Sequence, residues 1–255
     1  MSIQFEALDH PDRVLPFEGA FNFRDLGGYT TDSGRTLKWR TLFRADAVHR
    51  LPDAELDVLA GIGMRTIIDL RTRTEVDKGH LADETRGLVH LHLPVLGETW
   101  EPRDLPPDAD AGVILGELYI DMLTIGAPAL RGSLETLAEP RHLPAVFHCA
   151  AGKDRTGVLA AMVLSLLGVD QDTIIADYAI SGRSMDALVE RLRVERPEAR
   201  TTMNEQPSAY LAAPRAAMRT FLDHVDVEFG SVAGYVRTLG LDDDLIDTLR
   251  STLLD

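Results

Sequence analysis

Apolar residues follow two regimes along this chain. Over the first two thirds, short apolar or β-branched runs alternate with stretches of helical period; beyond that, only the helical period remains. Trp39 to Phe43, Arg65 to Leu70, Leu88 to Val95 and Leu143 to Phe147 read as strands, the third ended by Pro94. Pro52-Asp53 opens a helix with Glu55 in its first turn, and Gly61 and Gly63 end it. Further helices are expected at Val113 to Thr124, Pro128 to Ala138 and Val158 to Leu167. Everything after Asp170 reads helical: Asp172 to Ile180, Met185 to Arg196, Ala209 to Val225, Val232 to Leu239 and Asp243 to Leu254. Gly97 to Gly112, proline-containing and acidic without apolar period, reads as a long surface loop. Strands alternating with helices, then helices alone, predict an α/β fold. A central, mostly parallel sheet would be flanked by helices, with a helical C-terminal part. The site of such a sheet lies beyond the carboxyl ends of its strands.

Composition narrows this picture. At 255 residues the chain fits a single domain, 1–255, with a sizeable core. A net charge of −15 argues against nucleic acid or an anionic membrane as an electrostatic partner. One cysteine, Cys149, permits no intramolecular disulfide, which suits a reducing compartment. Met1 to His10 is acidic without an apolar core, so no conventional signal peptide is expected and the expected location is cytoplasmic. No apolar run approaches bilayer-spanning length, so no stable membrane insertion is expected.

The chemistry concentrates in His148-Cys149-Ala150-Ala151-Gly152-Lys153-Asp154-Arg155-Thr156-Gly157. A strand leads in and an apolar helix leads out, so successive backbone N–H groups of the turn aim at one point beside a helix N-terminus. This is a phosphate cradle with a thiol at its floor. Thiols in such electropositive settings ionise more readily and become nucleophiles. Arg155 offers a planar fork for two phosphate oxygens. Gly152 lets the loop close tightly, the amides of Ala150, Ala151, Gly152 and Lys153 hold oxygens, and Thr156 can donate a hydroxyl to the departing sulfur. A lone cysteine is ordinarily a packing group; the glycine, the Thr-Gly after Arg155 and the strand-to-helix setting mark this one as chemical.

The loop resembles that of the Cys-x5-Arg protein phosphatases. Within them the chain is most similar to the bacterial protein tyrosine phosphatase B family, on two further islands: Phe21-Asn22-Phe23-Arg24-Asp25-Leu26-Gly27-Gly28-Tyr29 with Leu42-Phe43-Arg44-Ala45-Asp46, and Ile67-Ile68-Asp69-Leu70-Arg71. The resemblance implies hydrolysis of phosphotyrosine through a phosphocysteine intermediate, with phosphoserine, phosphothreonine and phosphoinositides as further substrates. It implies a mobile helical lid, for which about 183–225 is the candidate segment; packing of these helices on the sheet is the alternative. It also implies an unusual general acid inside the loop, Asp154. Asp69, at a strand end, ranks second as acid, with an ion pair to Arg71 or Arg73 as its alternative role. Glu98, Asp104, Asp108 and Asp110 rank behind.

Lys153 stands out because lysines are three of the 26 basic residues. A flexible point charge at the rim could meet a second phosphate, and the resemblance implies the same, since phosphoinositide-active members of the superfamily carry lysine here; the alternative is that Lys153 only raises the loop's potential or pairs with Asp154. Arg24 and Asp25 either brace the loop or bind substrate, or, as the favoured reading, form a structural turn with Gly27-Gly28. His90 and His92 share a strand face without a third ligand cluster, so no metal is expected, and no dinucleotide or nucleotide fingerprint implies another cofactor. The rival readings are a catalytically impaired phospho-ligand-binding module, a sulfurtransferase and an arsenate reductase, the last usually needing further cysteines.

Overall fold

The computed structural model describes residues 4–98, 110–195 and 211–255. Five short strands form one sheet: β1 (Arg24–Asp25), β2 (Leu42–Ala45), β3 (Thr66–Asp69), β4 (Val89–His92) and β5 (Ala145–His148), in the order β1-β2-β5-β3-β4. All neighbours are parallel except β1, which runs antiparallel to β2. The sheet is mostly parallel, as expected. Ala45, His148, Asp69 and His92 pair across it in one row. Whatever follows them, Cys149 above all, therefore emerges at one edge.

Side chains alternate across the strands and feed two cores. Phe43, Ile67 and Val146 face one side with Leu56 and Leu59 of α2 (Asp53–Ile62). Leu42, Ile68, Ala145 and Phe147 face the larger helical side. At its centre lies α6 (Asp154–Leu167), buried at every position but Asp154 and Ser165, as an apolar run following the middle strand should be. The helices α4 (Ala111–Ile125), α5 (Ala127–Ala138), α7 (Gln171–Ile180), α9 (Arg215–Phe229), α10 (Val232–Thr238) and α11 (Asp243–Leu253) surround it. The remaining helices are α1 (Phe5–Leu8), α3 (Arg73–Val76) and α8 (Gly182–Glu195). No single described helix is long and apolar enough to cross a membrane; α4 and α5 together are apolar enough but bend by 77°.

Several boundaries differ from expectation. The first predicted strand moves from Trp39–Phe43 to Leu42–Ala45, because residues 39–41 turn instead. Arg24–Asp25, read as part of a glycine turn, is an edge strand. The helix expected from Val158 begins at Asp154, which puts Arg155 in its first turn. The helix expected from Val113 begins at Ala111 because the Asp110 carboxylate accepts the amides of Gly112 and Val113.

A buried ion cluster ties α7 to the sheet. The Asp177 carboxylate accepts Arg24 Nε at 3.1 Å and Arg44 Nη1 at 2.7 Å, and Tyr29 donates to it at 3.0 Å. All three charged side chains are about 1% exposed. Burial would raise the Asp177 carboxyl, but Arg24 and Arg44 hold it well below the usual carboxylate range. Burial and the neighbouring Arg24 push Arg44 down to about 10, still charged at neutral pH.

Removing one partner of such a cluster leaves uncompensated buried charge, at a cost of about 3–5 kcal/mol. Asp177→Asn is expected to lower the thermal midpoint by roughly 10 °C, measured by calorimetry; a shift under about 2 °C would mean that water or relaxation satisfies both guanidiniums. Because the folded carboxyl titrates below its unfolded value of about 3.9, the contribution is complete above that pH and fades as pH falls beneath it. Asp177→Asn should therefore flatten the acid limb of the stability curve.

Candidate active site

Cys149 follows the last residue of β5 and is 1% exposed, at the floor of the loop that ends in α6. The loop is held from behind. Asn22 Nδ2 donates to the carbonyls of Ala151 (3.0 Å) and Gly152 (3.1 Å), and Arg44 Nη2 donates to Gly152 at 2.9 Å. In a planar trans peptide the carbonyl and the next N–H point oppositely, so the amides of Gly152 and Lys153 face away from this clamp. Among the described residues, the N–H groups of Ala150, Ala151 and Gly152 have no acceptor. Gly152 has φ +65, and a Cβ there would lie 2.5 Å from the Ala45 carbonyl oxygen. Only glycine fits.

Arg155 is paired end-on with Glu75, Nη1 to Oε2 at 2.6 Å and Nη2 to Oε1 at 3.0 Å. Burial alone would lower the guanidinium, but the charges at Cys149 and Glu75 raise it above its ordinary value. Burial would raise Glu75, but its bonds and attraction to Arg155 hold it below the ordinary carboxylate value. Glu75 is itself fixed by a capping box: Thr72 accepts the Glu75 amide, and the Glu75 carboxylate accepts the Thr72 amide at 2.8 Å.

Asp69 is 0% exposed, and Arg71 grips both its oxygens, at 2.9 Å from Nε and 2.6 Å from Nη2. His90 Nε2 lies 3.1 Å from Oδ2, and His148 Nε2 lies 3.6 Å from it. Burial would raise this carboxyl, but His90, His148 and Arg71 hold it well below the usual range. The ion-pair alternative is the arrangement present, and a carboxyl so held is a poor proton donor. Burial lowers His148 to about 4, so it is neutral, and its Nδ1 lies 3.2 Å from the Cys149 carbonyl oxygen.

Asp154, the first residue of α6, is partly exposed, and its Oδ1 accepts the Tyr119 hydroxyl at 2.5 Å. Lys153 is not a flexible charge at the rim. It is 1% exposed, with Nζ 2.7 Å from the Ala212 carbonyl oxygen and 3.4 Å from Asp154 Oδ1. Thr156 Oγ1 is buried without a hydrogen-bond partner among the described residues. Arg24 braces rather than faces a ligand: its guanidinium is spent on Asp177, Asn22 and Ser181.

A cavity of about 270 Å³ lies over the loop. Ala150, Ala151, Lys153 and Asp154 line its floor; Arg71, Lys78 and Glu75 line a charged wall; Met185, Leu188, Val189 and Leu211 line an apolar one. The apolar wall is mostly α8, which is tied down where Ser184 donates to the Phe21 carbonyl at 2.7 Å and Arg191 lies over the Phe21 ring. Part of the candidate lid, 196–210, and the candidate acids Asp104 and Asp108 lie outside the described residues. Arg215 onward in that span is α9, whose Met218, Phe221 and Leu222 are core residues. Glu98 is exposed, and Asp110 caps α4.

Sequence reasoning missed Glu75, Asp177 and Tyr119. The signal for Glu75 was present in Thr72-x-x-Glu75, a capping-box spacing directly after Asp-Leu-Arg. Asp177 was signalled only by an acid within the mainly apolar stretch 174–180, and nothing in the sequence marked Tyr119.

The chain is similar along most of its length to known proteins. Residues 15–255 match the family described as "Tyrosine phosphatase family". The triple specificity protein phosphatase PtpB of Mycobacterium tuberculosis is 31% identical, over 95% of this chain and 99% of its own. A tyrosine-protein phosphatase of Nostoc commune is 29% identical, over 80% of this chain and 71% of its own. A crystal structure of P. aeruginosa TpbA in complex with pTyr overlays with a TM-score of 0.33 at 15% identity, covering 67% of this chain and 79% of that one. With its cysteine loop backed by Asn22 and Arg44 and its arginine braced by Glu75, the chain belongs to the tyrosine phosphatase family and is a phosphatase.

Proposed function

We propose that this phosphatase hydrolyses phosphate monoesters through a phosphocysteine intermediate, with phosphotyrosine as principal substrate and phosphoserine, phosphothreonine and phosphoinositides as further ones. The observation that carries the reading is the clamped loop. The Ala151 and Gly152 carbonyls are bonded on the outer side, which leaves amides for phosphate oxygens above Cys149.

In this mechanism the Cys149 thiolate attacks phosphorus in line with the leaving oxygen. Arg155 and the loop amides take the charge that spreads over the equatorial oxygens. With Glu75 holding the Nη1–Nη2 edge of the guanidinium, its remaining N–H groups are fixed in direction. Asp154 gives its proton to the leaving oxygen, then as carboxylate takes a proton from the water that attacks the phosphocysteine. Thr156, whose hydroxyl has no partner among the described residues, donates to the sulfur as it leaves. We assign Asp69 to holding Arg71 and His148, and Arg24 to bracing the loop.

The substrate range follows from the two walls. The apolar side from α8 suits an aryl ring or an acyl chain, and Arg71 and Lys78 on the charged wall suit further negative charge. The name of the M. tuberculosis relative records triple specificity for that protein, which supports a broad range here. α8 acts as part of a lid that excludes water from the intermediate.

Phosphate release from a phosphotyrosine peptide and p-nitrophenyl phosphate tests the mechanism. Cys149→Ser is expected to abolish release on both, with wild-type turnover unaffected by a chelator. Asp154→Asn should lose about 10²–10⁴-fold on the peptide and much less on the activated ester. Phosphopeptide binding without release by wild type would leave a phospho-ligand-binding module instead. Glu75→Gln replaces a charge-assisted pair with a neutral contact and should cost roughly 10–100-fold in kcat/KM. Retention within threefold would show that Arg155 is oriented by other groups.

A further inference from the structure

Behind Asp154 stands a pair of tyrosines that the mechanism above does not use. Tyr119 comes from α4 and Tyr178 from α7, and they are 0% and 1% exposed. Their rings meet edge to face with centroids 5.9 Å apart, and their hydroxyl oxygens are 2.7 Å apart. The Tyr119 hydroxyl also donates to Asp154 Oδ1 at 2.5 Å. Tyr119 has one hydroxyl proton, and it is committed to the carboxylate. The contact between the tyrosines must then be completed by Tyr178 as donor. The result is a directed chain from Tyr178 to Tyr119 to Asp154, in which each bond polarises the next.

Room for this chain is built into α6. A Cβ at Gly157 would lie 3.0 Å from Tyr178 Cδ2 and 3.3 Å from Cε2, so the ring of Tyr178 packs directly on the helix turn that carries Asp154 and Arg155. Lys153 Nζ adds an ion pair to Asp154 Oδ1 at 3.4 Å. Among the described residues Oδ2 has no hydrogen-bond partner, and Asp154 lines the cavity over the loop.

From this geometry we propose that Tyr119, supported by Tyr178, is a positioning residue for the general acid, which it orients so that the catalytic proton resides on Asp154 Oδ2. The proposal rests on Asp154 being that acid. Oδ1 is occupied as an acceptor in either protonation state, so the proton that leaves for the ester oxygen, and the one later taken from water, both use Oδ2. Tyr119 neither gains nor loses a proton in the cycle. Burial and the Asp154 charge raise the Tyr119 hydroxyl well above its ordinary value, and burial followed by Asp154 raises Tyr178 too, so both remain donors. A carboxyl without this tether would rotate about χ2, a broad torsion, and present its proton to the leaving oxygen only part of the time.

The test compares phenyl phosphate, whose leaving group needs protonation, with p-nitrophenyl phosphate, whose leaving group needs it far less. Tyr119→Phe keeps the ring and deletes the donor. Its kcat loss should be about tenfold greater on phenyl phosphate than on p-nitrophenyl phosphate, with KM for the two esters moving in parallel. Tyr178→Phe, whose hydroxyl does not touch Asp154, should show the same selectivity at about two- to fivefold. In an Asp154→Asn background, Tyr119→Phe should add no further selectivity. Equal losses on both esters in both tyrosine variants would overturn the proposal, because they would signal packing damage rather than a misplaced acid. If Asp154→Asn itself shows no leaving-group selectivity, the acid assignment falls and the proposal falls with it. If Asp154→Asn is selective and neither tyrosine variant is, the proposal alone fails.

Discussion

The site depends on one carboxylate set between two buried guanidiniums. Asp177 reaches from α7 to Arg24 on β1 and Arg44 on β2. The same guanidiniums go on to touch the catalytic loop, Arg44 at the Gly152 carbonyl and Arg24 through the Asn22 side chain. Without Asp177, two positive charges would be buried beside loop carbonyls that could not satisfy them. With it, a single positive charge remains in excess. That excess sits next to Cys149, where a negative charge would in turn favour the protonated forms of both Arg44 and Arg155. The desolvation cost of three buried ions thus favours an anion at one place in the molecule, the loop centre. A hydrophobic replacement of equal volume would pack as well and lose this bias.

Four carboxylates surround the loop, and their environments divide the work. Asp177, Asp69 and Glu75 each have cationic partners that outweigh the effect of burial, and each stays ionised and structural. Asp69 sets Arg71 and sits beside His148; Glu75 sets Arg155. Asp154 differs in kind. Its principal partner is a neutral hydroxyl, it is partly exposed, and one of its oxygens is unengaged. That setting is the one the proposed general acid requires, because a tight guanidinium pair would fix one protonation state. Position in the sequence alone cannot separate Asp69 from Asp154, since both lie at strand ends or just past them. The partner's charge separates them.

Much of this was legible in the sequence, for identifiable reasons. The cysteine loop is local: ten consecutive residues between a buried strand and a buried helix contain the proposed nucleophile, the arginine, the glycine and the proposed acid. The parallel core was legible because Ile67-Ile68 and Val146-Phe147 are apolar on both faces. Contacts that close over long sequence separations were not. Arg24 and Asp177 are 153 residues apart, and Arg155 and Glu75 are 80 apart. The tyrosine chain joins Tyr119 to Tyr178, 59 positions away, through a helix crossing that no local pattern encodes. Lys153 shows the reverse case. Its type invited a surface role, yet the chain around Ala212 folds over it and takes its ammonium as a buried donor.

Charge is arranged against the direction of substrate approach. The chain carries −15 overall, so a phosphorylated ligand is repelled at long range. At physiological ionic strength that repulsion decays over about 8 Å. The cavity is lined by Arg71, Lys78 and Lys153 as well as by Glu75 and Asp154, and the low surrounding dielectric strengthens the interactions of these charges at contact range. Recognition is therefore a short-range event. It depends on ligand and wall meeting closely enough for the α8 residues Met185, Leu188 and Val189 to bury apolar surface while the loop takes the phosphate. A free phosphate ion satisfies the loop but leaves that apolar wall uncovered. An ester with an apolar body satisfies both, and the same wall that binds its body displaces water from the bond to be broken.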